Sequence, residues 1–419
     1  MENNPKDEYY TSIAAMEPLY PEDANGKLES LALELVEKAG RLSGAMNPIT
    51  RLAIARFLRP MNSYYSNLIE GHDTHPIDIA KALNNDYSEN KTKRDLQLEA
   101  KAHINVHESI SAEFLGDNPP IPSSEDYLKH IHKEFYKHLP EEFTKSKSLD
   151  GTFKTVVPGE FRTCEVKVGN HVAPHSESVS AYMNRFESFY NPTSNSNNSK
   201  IKRIISIAAS HHRLAWIHPF LDGNGRVVRL YSDSSFMYEK IDASGLWSIS
   251  RGLARTKETY REKLANADLV RYNDYDGRGN LSNKRLVEFC IYFLTTAIDQ
   301  IDYMYKMIDT ESMIERIERF ADLMVAKNKL KIEVKYILTD VFLKGKISKK
   351  EAMRITKTSD KTLKALVDSL VELGLITTKM EGVEMIYYVN YSIKFSPLLF
   401  PGLYPSQKEI DMMDFNLIR

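Results

Sequence analysis

Residues 218–229 read His-Pro-Phe-Leu-Asp-Gly-Asn-Gly-Arg-Val-Val-Arg, and this signature segment decides which fold the chain is expected to have. Gly223 and Gly225 flank Asn224, and a glycine pair of this kind lets backbone N–H groups turn towards an anion. The apolar run that begins at Val227 predicts a helix, whose positive N-terminal end would face the same anion. We therefore expect a phosphate-binding loop here.

Charged side chains on both sides of the two glycines suit the same ligand. Arg226 and Arg229 are three positions apart, so on a helix they share one face and can both bind a polyphosphate. Asp222 offers a hard oxygen ligand for Mg²⁺. His218 is the residue type that accepts a proton from a hydroxyl group near neutral pH. Apolar residues at helical spacing over 201–217 place the loop between two helices.

The signature segment resembles the sequence signature of the Fic (filamentation induced by cAMP) family. The positions that fit are His218, Phe220, Asp222, Gly223, Asn224, Gly225, Arg226 and Arg229. A motif with this many specified positions is far more specific than a single glycine loop. The resemblance implies a mainly α fold, with a helical-bundle core and a small β-hairpin flap. It also implies transfer of AMP from ATP to a hydroxyl group of a protein (AMPylation).

The resemblance further implies a role for each matching position. His218 would be the general base, Asp222 would hold Mg²⁺, and Phe220 would anchor the loop by packing. Residues 250–260 resemble the helix that lines the adenine pocket, with Tyr260 as the one contact assigned there. The residues that would bind the phosphates of ATP are Gly223, Asn224, Gly225, Arg226 and Arg229.

A second family feature is the run Pro-Gly-Glu-Phe-Arg at 158–162, which precedes a predicted hairpin. Alternating polarity over 164–168, ended by Gly169-Asn170, favours a short strand and a tight turn. In the Fic family such a hairpin is the flap that binds the target segment as an added strand. The resemblance implies that Glu165, Val166, Lys167 and Val168 dock the substrate protein, although a hairpin without this role has the same pattern.

A third feature is Ser66-Asn67-Leu68-Ile69-Glu70-Gly71, which resembles the inhibitory motif of Fic proteins. Ser66 and Glu70 are four positions apart, hence neighbours on one helical face, and Gly71 is a natural helix stop. Its place before the catalytic core matches the subclass that carries its inhibitor in the same chain. The resemblance implies that Glu70 pairs with Arg229. The alternative is an ordinary exposed helix end.

The C-terminal part predicts a winged helix-turn-helix domain. Ser348 with Glu351 makes a capping box, Ser359 caps a third helix, and two strands alternate around Glu381-Gly382. Helices of this fold often enter the major groove of DNA, and Lys361 would lie on the exposed face. The alternatives are a DNA-binding unit and a module for packing or dimerisation. Other residues expected on the exposed face or near it are Thr362, Lys364, Lys335 and Lys350.

Apolar periodicity and caps divide the chain into five segments. A single long helix is expected from about Lys284 to Lys329. The predicted segments are an N-terminal helical region with the inhibitory helix (1–90), the Fic catalytic core (91–305), a linking helix (306–330), the winged-helix domain (331–395) and a C-terminal tail (396–419).

Composition excludes several classes of protein. The 419 residues carry a formal charge of −1, so bulk charge favours neither a polyanion-binding nor a membrane-surface protein. No secretory signal or spanning segment is indicated, and we expect cytoplasmic localisation without a membrane partner. Cys164 and Cys290 lack partners at metal spacing. One sequence leaves the oligomeric state open, including a homo-oligomer.

Two classes of function compete on this evidence. The first is an ATP- and Mg²⁺-dependent adenylyltransferase, autoinhibited by Glu70, that acts on a Ser, Thr or Tyr hydroxyl of a protein, with the chain itself among the candidates. The second is a DNA-binding regulator that uses the Fic core to sense nucleotide. The enzyme is favoured because a sensor has no need of His218 beside the phosphates. A third hypothesis is removal of AMP from a modified protein.

Overall fold

The computed structural model describes residues 10–147, 151–169, 171–194 and 199–418. The described chain is mainly helical and its strands are short, as the sequence predicted. One connected hydrophobic core runs from Ala15 to Met412. Within the described ranges, no helix combines the length and the apolar character that a membrane crossing requires.

Four helices form the N-terminal part. They are α1 (Lys27–Gly44), α2 (Pro48–Glu70), α3 (Pro76–Leu83) and α4 (Lys91–Leu115). Helix α2 begins where the Asn47 side chain accepts a hydrogen bond from the Ile49 N–H group and Pro48 fills the first turn. It ends at Gly71, whose φ of 96° is the left-handed conformation expected of a helix stop.

The middle of the chain surrounds the signature segment with helices. They are α5 (Glu125–Lys137), α6 (Val179–Tyr190), α7 (Lys200–Ile217), α8 (Asn224–Tyr238), α9 (Ile249–Arg255), α10 (Lys257–Ala267) and α11 (Asn283–Met307). The signature segment connects α7 to α8 and supplies the first residues of α8, which confirms its predicted place between two helices. Two hairpins lie between α5 and α6. Their strands are β1 (Lys145–Lys147), β2 (Phe153–Thr155), β3 (Lys167–Val168) and β4 (His171–Val172).

The predicted flap hairpin is shorter than its sequence pattern suggests. Only Lys167 and Val168 form the strand β3, paired with β4, whereas the pattern extended it back to Cys164. Cys164 and Val166 are buried, and the Glu165 carboxylate accepts hydrogen bonds from the N–H and hydroxyl groups of Ser176. These contacts hold 164–166 against the protein body, so only the tip forms a hairpin. Asn170, part of the predicted turn, lies outside the described residues.

The expected single helix from Lys284 to Lys329 is wrong, because the chain breaks after Met307. Helix α11 ends there and α12 (Thr310–Ala326) starts after Asp309, whose side chain accepts the Ser312 N–H group at 3.1 Å. Buried residues continue on both sides of the break, at Met307 and Met313. The apolar periodicity therefore hid the break, and the capping aspartate was the signal for it.

The segment predicted as a winged helix contains three helices and a three-stranded antiparallel sheet. Its elements are α13 (Val334–Lys344), β5 (Lys346–Ser348), α14 (Lys349–Thr356), α15 (Asp360–Glu372), β6 (Ile376–Glu381) and β7 (Glu384–Val389). The strand order is β5-β7-β6. Ser348 and Glu351 form the expected capping box, and Ser359 caps α15. Assignment to the winged-helix class stays a prediction.

The predicted tail, 396–419, carries two further helices, α16 (Ser396–Leu399) and α17 (Ser406–Ile418). Phe400, Leu403 and Tyr404 are buried. The Tyr65 hydroxyl on α2 donates to the Leu403 carbonyl oxygen at 3.0 Å, and the rings of Tyr64 and Tyr404 meet edge to face. This segment therefore packs along helix α2, since aromatic contacts and a buried hydrogen bond join them.

Candidate active site

The signature segment turns sharply between α7 and α8 because two of its residues adopt left-handed backbone angles. His218, which follows the last residue of α7, has φ 49° and ψ 60°, and Gly223 has φ 79°. The Asn224 side chain closes the turn: its Oδ1 accepts the Phe220 N–H group at 2.9 Å and its Nδ2 donates to the Phe220 carbonyl oxygen at 2.8 Å. Phe220 is fully buried, as predicted for an anchor.

The loop borders a cavity of about 370 Å³ into which most predicted site residues project. Its polar lining comes from four separate parts of the chain: the end of α2 and the turn after it, helix α4, Tyr136 of helix α5, and the signature segment. The lining residues are Glu70, His72, Glu99, Tyr136, Leu139, Phe143, Val168, His218, Asp222, Gly223, Asn224, Gly225 and Arg226.

His218 is neutral and oriented towards proton acceptance. Burial, together with the nearby His171 and Arg162, lowers the pKa of His218 to about 4. Its Nδ1 lies 3.4 Å from the carbonyl oxygen of Ala215, which can only accept, so the proton resides on Nδ1. The lone pair of Nε2 is therefore available to take a proton from a hydroxyl group in the cavity.

Asp222 is exposed and lines the cavity. Its Oδ2 accepts a hydrogen bond from the Tyr136 hydroxyl at 3.1 Å. In the part of the chain that the structure describes, no group of three or more His, Cys, Asp or Glu side chains is arranged to hold a metal ion. Asp222 nonetheless suits Mg²⁺ bound to a nucleotide, because that ion commonly uses one or two carboxylates and completes its shell with phosphates and water.

Arg226 is buried and paired with a carboxylate that the sequence did not reveal. Its Nη2 lies 3.0 Å from Glu99 Oε1, and the guanidinium stacks over the Phe135 ring. The other oxygen of Glu99 lies 2.5 Å from His72 Nδ1, and this hydrogen bond raises the pKa of His72. Glu99 and His72 escaped prediction because no local motif connects them with the signature segment.

Arg229 is bound by both functional residues of the predicted inhibitory motif. Its Nε donates to Ser66 Oγ at 2.9 Å, and its Nη2 lies 2.6 Å from Glu70 Oε1. Burial opposes ionisation of Glu70, but the charges of Arg229 and Arg226 outweigh it and lower the Glu70 pKa. A Cβ atom on Gly225 would lie only 2.3 Å from Glu70 Oε1, so Glu70 occupies space directly beside the loop.

Tyr260 is not among the residues that line the cavity. It is buried, and its hydroxyl lies 2.8 Å from His211 Nε2, whose other nitrogen contacts the Ser232 hydroxyl.

Of the predicted docking residues, Val168 alone lines the cavity, while Glu165 and Val166 contact the protein body. The roles of Tyr260 and of the flap stay predictions.

Residues 122–233 match a family model described as the Fic/DOC family. The chain contains a Fic domain. This confirms the resemblance inferred from the signature segment. All residues of that segment, 218–229, lie within the match. The Fic domain includes α5, the hairpins and the helices on either side of the loop.

Curated relatives share the Fic domain over a short stretch. The "Protein adenylyltransferase Fic" of Drosophila virilis is 39% identical over 79 residues, which is 19% of this chain and 16% of the relative. The protein of the same name from Drosophila grimshawi is 42% identical over 79 residues, again 19% of this chain and 16% of the relative. The chain thus spans about a sixth of the length of these relatives.

Solved structures resemble this chain over a longer range. A Fic family protein from Desulfovibrio desulfuricans G20 superposes with a TM-score of 0.52 at 16% identity, covering 89% of this chain and 98% of that one. Fic-1 (residues 134–508) from C. elegans gives a TM-score of 0.51 at 14% identity, covering 68% and 73%. At such identities the likeness establishes the fold alone.

Proposed function

We propose that this protein transfers AMP from ATP to a hydroxyl group on a protein side chain. The observation that carries the proposal is a neutral His218 with a free Nε2, on the same cavity as Asp222 and the glycine loop. A proton acceptor and an anion site on one cavity are what attack of a hydroxyl on a phosphate requires. The Fic adenylyltransferases that match part of the chain support the same reaction.

The chemistry assigns each group one task. His218 Nε2 takes the proton of the target hydroxyl, whose oxygen forms a bond to the α-phosphorus of ATP. The bond from that phosphorus to the β-phosphate oxygen breaks in line, and pyrophosphate leaves. The N–H groups at the start of α8 and the two arginines stabilise the phosphate charge, since positioning and electrostatics dominate such transfers.

The proposed Mg²⁺ would be held by Asp222 together with the phosphates of ATP. When bound, the ion neutralises phosphate charge. The residues of the chain fit this role because the Asp222 carboxylate is exposed to the cavity and lies next to the anion loop. Arg226 and Arg229 would then bind the more distal phosphates.

The contact between Arg229 and Glu70 supports autoinhibition as part of the proposal. Arg229 is buried and its donors are taken by Glu70 and Ser66, so a γ-phosphate would have to displace the carboxylate. A charge-assisted hydrogen bond of this kind contributes about 1.5–3 kcal/mol. The resting enzyme is therefore expected to be slow. Removal of AMP, with Glu70 orienting water in the same cavity, is the alternative reaction that its position favours.

The test is incubation of the purified chain with labelled ATP, CTP, GTP and UTP in the presence of Mg²⁺, followed by mass spectrometry. Mass added as AMP to a Ser, Thr or Tyr side chain, of the chain itself or of an added protein extract, supports the proposal. His218→Ala is the matched control and must lower the addition by about 10²- to 10⁴-fold. No transfer from any nucleotide, even with Glu70→Gly, would reject the proposed function.

A further inference from the structure

Two side chains outside the cavity hold main-chain carbonyl oxygens of the signature segment. Arg162 donates through Nε to the His218 carbonyl oxygen at 2.9 Å, and its own N–H group donates to the Pro219 carbonyl oxygen at 2.9 Å. His132 Nε2 lies 3.2 Å from the Asp222 carbonyl oxygen. Neither Arg162 nor His132 lines the cavity. Besides the Asn224 side chain, which lines the cavity, two donors outside the cavity therefore hold the conformation of the loop.

The hydrogen bonds of His132 determine which of its nitrogens carries the proton. The N–H group of Gly159 points at Nδ1, at 2.9 Å, and an N–H group can only donate. Nδ1 is therefore the acceptor, and Nε2 carries the hydrogen that it donates to Asp222. The ring is fully buried and stacks on Phe220 with centroids 4.0 Å apart and planes within 5°.

Tyr136 lies one helical turn after His132 on α5 and contacts the other end of the same aspartate. Its hydroxyl donates to Asp222 Oδ2 at 3.1 Å. Its ring also lies against Gly223, where an added Cβ would come within 3.1 Å of it. Residues four apart on a helix are neighbours, so α5 presents both donors on one face. One aspartate is thus held by its main-chain oxygen and by its carboxylate.

We propose that His132 and Tyr136 are positioning residues that orient the Asp222 carboxylate towards the cation of a metal–nucleotide complex. The inference rests on the proposed function and extends it to residues that the proposal does not assign to the metal or to the phosphates: His132 lies outside the cavity, and Tyr136 lines it. Mg²⁺ demands nearly ideal octahedral geometry, so the direction of a single carboxylate matters. Hydrogen-bond partners of a metal ligand typically change metal affinity by about 10- to 100-fold when removed.

The test uses ADP with Mn²⁺, whose binding is followed by electron paramagnetic resonance without any transfer reaction. ADP is chosen because it lacks the γ-phosphate that would compete with Glu70 for Arg229. Tyr136→Phe removes one hydroxyl and is expected to weaken Mn²⁺ affinity in the ADP complex by about tenfold or more. Affinity for ADP without metal should stay within about a factor of two, because the arginines and the loop N–H groups are untouched.

The conservative variants of His132 separate its two hydrogen bonds. His132→Gln places an N–H donor near the position of Nε2, whereas His132→Asn keeps only an acceptor near the position of Nδ1. We expect His132→Asn to lose Mn²⁺ affinity and His132→Gln to recover most of it. Should both His132 variants unfold, Tyr136→Phe decides alone, since it keeps the ring and its packing.

Tyr127→Phe is the matched control. Tyr127 is on the same helix, and its buried hydroxyl lies 3.0 Å from Ser234 Oγ, away from the residues that line the cavity. This variant should lose thermal stability without losing Mn²⁺ affinity. Equal Mn²⁺ affinity in the unmutated, Tyr136→Phe and His132→Asn proteins would overturn the inference while leaving the proposed function intact. Absence of Mn²⁺–ADP binding by the unmutated protein would reject both.

Discussion

Arg229 and Glu70 are 159 positions apart in the chain, yet their Nη2 and Oε1 atoms lie 2.6 Å apart. Arg229 is 2% exposed and Glu70 34% exposed, so the pair is buried on one side and open to the cavity on the other. A ligand entering the cavity can therefore reach the carboxylate without unfolding α2. This geometry makes the contact suitable for reversible competition with a phosphate.

The first prediction is that Glu70→Gly increases transfer of AMP. Losing a pair that contributes about 1.5–3 kcal/mol should raise the rate on the order of tenfold or more. The measurement is label incorporated from ATP, and the gain should vanish in Glu70→Gly with His218→Ala. To distinguish inhibition from lost reversal, pre-modified protein is offered to the unmutated chain, which strips AMP only under the alternative. An unchanged Glu70→Gly protein, in both directions, would refute the inhibitory role.

The second prediction concerns the proton acceptor. His218→Ala should bind ATP as the unmutated protein does, because the imidazole faces the attacking hydroxyl and the phosphates are held elsewhere. Transfer should fall by about 10²- to 10⁴-fold, the usual contribution of general base catalysis. Calorimetric titration gives the affinity and label incorporation the rate. Comparable rates in both proteins would remove His218 from this role.

The third prediction is the pH dependence of that step. Because the pKa of His218 is lowered to about 4, the imidazole is almost entirely unprotonated from about pH 5.5 upwards. The rate should be nearly level between about pH 5.5 and 7.5 and fall only as the pH approaches 4. The profile of kcat/KM, measured with Glu70→Gly to avoid the inhibitory pair, checks this. An acid limb centred near 6.5, the value of an unperturbed histidine, would contradict it.

The fourth prediction concerns the packing of the first turn of α2 against Gly345. Gly345 has φ 80°, and an added Cβ would lie 2.5 Å from Ile49 Cβ at the first turn of α2. Gly345→Ala should therefore lower the free energy of unfolding by about 1–3 kcal/mol. Because α2 carries Glu70 at its other end, the same variant should raise resting transfer. The increase should be absent in the Glu70→Gly background. An increase of equal size there would show that packing at Gly345 does not act through Glu70.

The fifth prediction addresses the C-terminal unit. Exposed cations lie along α14 and at the start of α15, at Lys350, Arg354, Lys357, Lys361 and Lys364. If this surface binds duplex DNA, its affinity should fall steeply with added salt. The double variant Lys361→Ala with Lys364→Ala should reduce the slope of log affinity against log salt concentration by about two. Fluorescence anisotropy with mixed-sequence DNA measures both. No binding at low salt would assign the unit to packing.

Several local features of the fold and of the site were predictable because each depends on contiguous residues. The turn at Gly223, the helix stop at Gly71 and the capping box at Ser348 depend on neighbours within a few positions. The contact of Glu70 with Arg229 could also be predicted, because each of the two residues belongs to a motif of the same family. The family resemblance, and not spacing alone, carried that step.

The contacts that surround the motifs were not predictable from one sequence. Glu99 lies 127 positions from Arg226, and no motif marked His132 or Tyr136 on helix α5. Their partners are set by how α4 and α5 pack against the loop. The break at Asp309 was missed for a different reason, because apolar residues on both sides keep the helical period. The capping Asp309 was a local signal for this break, but the apolar pattern outweighed it.

The absence of a side chain at Gly225 has a consequence for which residues this position accepts. A methyl group there would come within 2.3 Å of Glu70 Oε1 and within 3.2 Å of an Arg229 nitrogen, and the flexible carboxylate is the group that would yield. A single substitution at 225 would thus detach Glu70 while leaving the motif on α2 unaltered. Two contacts therefore favour glycine at 225: the Glu70 carboxylate and, under the proposed function, a phosphate of the nucleotide. Without the Glu70 contact, only the proposed phosphate contact would still favour glycine at this position.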